Sequence, residues 1–212
     1  MSSAPGVKDL VVLAADGQME FAVRGLLGRG ASLRFREISA DIYVHPSKDP
    51  GCLLRAHDFL RPFVRQYLHA VVMFDLDGCG RAGHSREAIE EEVEQRLLIS
   101  GWEDRAAAVV LDPELEAWVW SDSPEVDAVL GWTGRQPPLA HWLRSEGYLL
   151  PDELKPRDPK EALEEALRIV RKRRSSATYR ELAQRVSLQR CSDPAFVKLK
   201  AILQRWFGVD RA

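Results

Sequence analysis

Paired cysteines and membrane-length apolar runs are both missing from this sequence. Its three cysteines, Cys52, Cys79 and Cys191, are scattered and odd in number, which argues against a disulfide framework or a zinc-binding spacing. A reduced, cytoplasmic setting is therefore expected. No apolar run approaches the roughly 18 residues that a bilayer crossing needs, and the opening residues carry no basic stretch followed by a long apolar segment. The chain is expected to be soluble. Repeats and low-complexity tracts are also absent. No excess of one charge is present, since 30 Lys+Arg stand against 32 Asp+Glu. The remaining composition, 45% apolar and 29% charged over 212 residues, is that of a globular protein rather than a collagenous, coiled-coil or disordered one. A chain of this size buries roughly 70% of its unfolded surface. No metal is needed merely to hold it together, so any metal would be functional.

The balanced total hides an asymmetry. Residues 1–154 carry 15 basic and 25 acidic side chains, whereas residues 155–212 carry 15 basic and 7 acidic ones. A basic tail on an acidic body suits two jobs, one attracting a polyanion and the other holding cations or a basic partner. Docking of the tail on its own body explains the pattern equally well.

Apolar periodicity predicts alternating strands and helices. Leu10–Ala14 reads as a buried strand ending at Asp16-Gly17. A helix through Met19, Val23, Leu26 and Leu27 should follow, stopped by a left-handed Gly28. A second strand lies within Leu33–Val44, followed by a helical stretch around Leu53–Leu60. His69–Phe74 is apolar throughout and reads as a central strand. Ser85 caps a helix with Ile89, Val93 and Leu97 inward and Glu90, Glu91, Glu92 and Glu94 outward. Ala107–Leu111 is the fourth strand, after which Asp112-Pro113 should open a helix. This order predicts an α/β fold with a mainly parallel central sheet flanked by helices, over residues 1–122. Residues 123–212 read as a helical extension whose basic part spans 155–212. Its last three helices should start at Asp158-Pro159, at a capping box Thr178 to Glu181, and at Asp193-Pro194, the last burying Phe196, Leu199, Leu203 and Trp206.

Asp75 and Asp77 follow the most apolar strand, where open α/β sheets place their ligands. Near-buried charges must be paired or coordinate a cation, so a divalent ion explains two such acids economically. Hard oxygen ligands favour Mg²⁺, with Mn²⁺ an easy substitute. The competing reading is a pair of loop acids fanning into solvent. Asp16 and Glu20 after the first strand, and Glu114 and Glu116 after the fourth, should reach the same sheet edge. The substrate that bridges well to cations in so acidic a cleft is a phosphate.

The motifs Asp16-Gly17-Gln18-Met19-Glu20, Asp75-Leu76-Asp77 and Glu116-Ala117-Trp118, in that order, resemble those of Toprim-like proteins. The likeness is strongest to the small bacterial families related to OLD-type and RloB-type nucleases of phage-defence systems, and it covers roughly residues 8–122. In these families the first strand usually ends in E-G-x-x-E or E-G-x-x-D, so Asp16 departs from the pattern by one methylene. The resemblance implies that Asp75 and Asp77 hold Mg²⁺ and that Glu116 completes or orients the site. It also implies that Asp16 and Glu20 assist proton transfer or a second metal, and that the reaction is phosphodiester hydrolysis. The alternative is a non-catalytic subunit that keeps the fold for assembly or nucleic-acid binding in a defence complex.

Further candidates lie outside these motifs. Arg171, Lys172, Arg173 and Arg174 form the densest basic run, suited to phosphates by salt-sensitive, sequence-indifferent contacts. A cationic last turn of a helix accounts for them as well. Gly78-Cys79-Gly80-Arg81-Ala82-Gly83 spells a dinucleotide fingerprint, but it does not follow the first strand, Glu103 and Asp104 precede the next strand, and Asp112 comes late for the ribose-binding acid. A loop from which Arg81, His84 and Arg86 reach a nucleic-acid phosphate is the preferred reading. Trp118 reads as a wedge behind Glu116. His57, His69 and His141 read as packing residues, and Cys79 has no assignable catalytic partner.

Overall fold

The computed structural model describes residues 6–121, 123–187 and 191–209. The expected domain boundary at residue 122 lies outside the described residues. No helix among the described residues is long and apolar enough to cross a membrane.

The chain alternates as its periodicity demands. Strand β1 (Lys8–Ala14) leads to α1 (Gly17–Leu27), a short α2 (Gly30–Leu33) and β2 (Ala40–Val44). Helix α3 (Lys48–Leu60) and β3 (Tyr67–Asp75) follow, then α4 (Arg86–Leu97) and β4 (Ala106–Leu111). The three strand pairings of the sheet are parallel and the order is β2-β1-β3-β4. The class is thus α/β with a parallel central sheet, consistent with a Toprim-like fold. Residues Ala70–Phe74 of β3 are completely buried, and burying each large apolar side chain there is worth about 1.5–3 kcal/mol. Right-handed crossovers put α1 on one face of the sheet and α3 on the other, because β2 and β3 lie on opposite sides of β1. Helices α3 and α4 accordingly touch.

Beyond β4 come α5 (Pro124–Leu130), α6 (Leu139–Ser145), α7 (Pro159–Ile169), α8 (Ser176–Arg185) and α9 (Pro194–Phe207). The extension is not a free tail. Helix α8 packs on α1 in the most extensive contact between two helices. A Cβ on Gly25 would come within 2.8 Å of Ala183 Cβ and of the Arg180 carbonyl, so only glycine permits so close a crossing.

Several local expectations change. Gly28 is right-handed (φ −67°), and the left-handed turn falls at Arg34 (φ 64°), because the chain enters α2 at once. Leu33 belongs to that helix rather than to a strand. After Pro113 there is only a 3₁₀ turn, Leu115–Trp118, because Glu114 stays extended. The cap of helix α8 falls three residues before the expected one. Ser175 is its extended N-cap residue, and Glu181 pairs with Arg185 instead of closing a box. In α9 Trp206 is half-buried and stacks on His69 at 4.3 Å, while Phe207 takes the core position.

Glu90 is the largest departure among the helix residues. Expected to face solvent, it is buried, and its Oε1 accepts the Val110 N–H of the edge strand at 2.9 Å. Glu94 does the same for Ala108 N–H at 3.0 Å. Lys198 of α9 binds both acids, at 3.1 and 2.8 Å, and Arg86 binds Glu90 at 2.7 Å. Two carboxylates thus satisfy the outer N–H groups of β4, which have no neighbouring strand.

Candidate metal centre

Parallel strands bring their carboxyl ends to one edge, and the order β2-β1-β3-β4 places a switch point between β1 and β3. Asp75 is the last residue of β3 and pairs in register with Leu111 of β4. Two bonds carry this pairing into the loops, Leu76 N–H to the Leu111 carbonyl at 2.8 Å and Asp77 N–H to the Pro113 carbonyl at 3.1 Å. They bring the turn after β4 against the end of β3. There Asp75 Oδ1 accepts the Leu115 N–H at 2.9 Å. One carboxylate oxygen each from Asp75, Glu114 and Glu116 lies within 4.8 Å of the others. Such an all-oxygen set fits a hard divalent cation.

The electrostatics of this cluster are those of a site short of positive charge. Burial pushes the Asp75 carboxyl well above the usual carboxylate range, and Asp49, Glu116, Asp16 and Glu114 push it further. Burial and then Glu116 also raise Glu114, although the Lys160 ammonium at 3.6 Å works against this. Glu116 is 2% exposed. It accepts hydrogen bonds from the Tyr179 hydroxyl at 2.5 Å and from the Arg174 guanidinium. Burial, followed by Glu116, drives the Tyr179 hydroxyl upward, so it stays protonated and donates.

The expected residues are only partly gathered here. Asp77 is exposed and outside the cluster. Two acids one residue apart share a side only while the chain stays extended, and Leu76 already turns into a 3₁₀ helix (φ −64°, ψ −49°). Glu114 occupies the third position instead. Asp16 lies close enough to raise Asp75, yet its Oδ1 caps α1, accepting from Gln18 and Met19 N–H at 2.9 and 2.8 Å. Glu20 pairs with Arg24 at 2.8 Å along the same helix.

Of the basic run, Arg171 and Arg173 are exposed. Lys172 donates to the Val129 carbonyl. Arg174 points inward, binding Glu164 at 3.0 Å and Gln18 at 2.6 Å in addition to Glu116. In the Gly-rich loop Arg81 pairs with Glu92 at 3.1 Å, and Arg86 is held by Glu87 and Glu90. Cys79 is buried, and burial raises its thiol, so it is not a poised thiolate.

Two contributors escaped the motif reading. Asp49, in the first turn of α3, accepts the Asp75 backbone N–H at 2.9 Å through Oδ1. Its Oδ2 would lie 2.6 Å from a Cβ on Gly78, so the glycine makes room for this carboxylate. Tyr179 sits 63 residues beyond Glu116, and nothing in its local sequence announces the contact. Compared with known proteins, the chain matches no family model, no curated protein and no solved structure.

Proposed function

We propose that this protein is a Mg²⁺- or Mn²⁺-dependent phosphodiester hydrolase acting on nucleic acid, a Toprim-like nuclease of a bacterial anti-phage defence system. The observation that carries the reading is the convergence of Asp75, Glu114 and Glu116 at the carboxyl edge of a parallel sheet. Defence and the Toprim family rest on the motif resemblance alone.

In this reading Asp75, Glu114 and Glu116 hold the cation. A bound divalent ion supplies Lewis-acid polarisation of a phosphoryl oxygen and lowers the pKa of water. Asp16, whose second carboxylate oxygen is not used in capping α1, stands at the rim to take a proton from the attacking water. Asp49 fixes the main chain at Asp75. The exposed Arg171 and Arg173 bind backbone phosphates, which favours affinity over sequence choice.

A second reading, a non-catalytic assembly subunit, is favoured by the engagement of Arg174 with Glu116 and of Arg24 with Glu20. These pairs neutralise acids that catalysis would use. A Mn²⁺ titration followed by plasmid and RNA cleavage assays separates the two. Metal-dependent cutting supports the nuclease, whereas metal binding without cutting of either substrate leaves the subunit. Absence of binding at the acidic cluster removes the nuclease reading.

A further inference from the structure

The cluster at the sheet edge is not made by the α/β core alone. Glu116 sits in the 3₁₀ turn after β4 between buried Leu115 and Ala117, and the two groups that hold its carboxylate come from the extension. Both bind the same atom, Oε1. Among the described residues no hydrogen bond reaches Oε2. The holders are themselves fixed. Tyr179 donates its single hydroxyl proton to Glu116 and accepts from Arg174 Nε at 2.7 Å. The remaining Arg174 nitrogens are anchored on Glu164 and Gln18. Helix α8 is seated by its close crossing with α1 at Gly25.

Resting on the metal reading above, we propose that Tyr179 and Arg174 are positioning residues of the metal centre. They restrain Glu116 through Oε1 and leave Oε2 to join Asp75 and Glu114 as a cation ligand. Outer-sphere hydrogen bonds of this kind fix the direction of a ligating side chain, and their loss typically weakens metal binding about 10–100-fold. The extension is therefore part of the site and not only a nucleic-acid grip.

The test is Mn²⁺ affinity, read by electron paramagnetic resonance on the full chain, with folding checked by circular dichroism. Tyr179→Phe keeps every charge and should weaken Mn²⁺ about 10-fold or more. Arg174→Met should weaken it at least as much, and Arg174→Lys should recover part of the loss. Hydrogen exchange on the unsubstituted chain decides the matter even if a variant does not fold. Saturating Mn²⁺ should slow exchange at residues 174–180 as well as 114–118. Unchanged affinity in Tyr179→Phe, or protection confined to the core turns, would overturn the proposal. Tighter binding in Arg174→Met would also do so, by marking Arg174 as a competing cation. An unsubstituted chain that binds no Mn²⁺ removes the metal reading itself, whereas normal binding with indifferent variants removes this inference only.

Discussion

Asp49 accepts the backbone N–H of Asp75 at 2.9 Å, so a carboxylate from the start of α3 lies beside the carboxylate that ends β3. The bond orders the main chain at the cost of placing two acids together. Burial and like charge both disfavour ionised Asp75.

Asp75→Asn should therefore stabilise the metal-free protein while abolishing Mn²⁺ binding. Relief of one like-charge contact is worth about 1–3 kcal/mol at neutral pH, a rise in melting temperature of roughly 2–12 °C for a chain of this size. The same cause sets a pH dependence. The native state binds the Asp75 proton more tightly than the unfolded chain does, so its stabilising contribution is full below the ordinary Asp value of 3.8. It is lost as pH rises through the elevated native value. Thermal melts from pH 4 upward should show this decline, and saturating Mg²⁺ should flatten it. A metal-free protein whose Asp75→Asn variant melts lower than the parent would refute the electrostatic account.

Asp77→Asn should retain metal-dependent cleavage within about threefold, because Asp77 is exposed and outside the cluster. Asp75→Asn and Glu114→Gln should each lose cleavage altogether. Rates on plasmid and RNA for the three variants distinguish a site built by the fold from one built by the D-x-D motif alone.

Glu90→Ala should cost about 3–5 kcal/mol, since it leaves Arg86, Lys198 and the Val110 N–H without their shared acceptor. Its exposed neighbour Glu91 should cost about 0.5 kcal/mol or less when changed to Ala. Urea denaturation of both variants measures the difference, and equal midpoints would deny Glu90 its role at the sheet edge.

Removing the exposed Arg171 and Arg173 together should weaken nucleic-acid binding equally for all sequences. It should also reduce the slope of log affinity against log salt by about 2, or about 1 unit per lost phosphate contact. Fluorescence anisotropy at several salt concentrations gives both quantities. An unchanged slope would remove these two arginines from the interface.

Much of the architecture was legible because it depends on local periodicity. The run His69–Phe74 could only be a strand buried on both faces, and Asp158, Ser85 and Asp193 do cap their helices. The spacing of D-x-D does not reveal that Asp77 lies outside the acidic cluster, because whether a strand continues for two more residues is decided by the hydrogen bonds its neighbour offers. Here Leu111 and Pro113 draw Leu76 and Asp77 into a turn. The arginine run was equally ambiguous, since four adjacent cations look alike in sequence and only the seat of α8 on α1 selects Arg174 for the interior.

Alternation of apolar segments, the capping residues and the charge division between body and tail are short-range properties of the polypeptide, and they suffice for a parallel α/β sheet with a basic helical extension. Which acids meet is a long-range matter. Asp49, Asp75, Glu116 and Tyr179 come from four separate segments, and their association depends on strand order, the turn after β4 and a helix crossing at Gly25. Those are set by packing of the whole molecule, which no local pattern encodes.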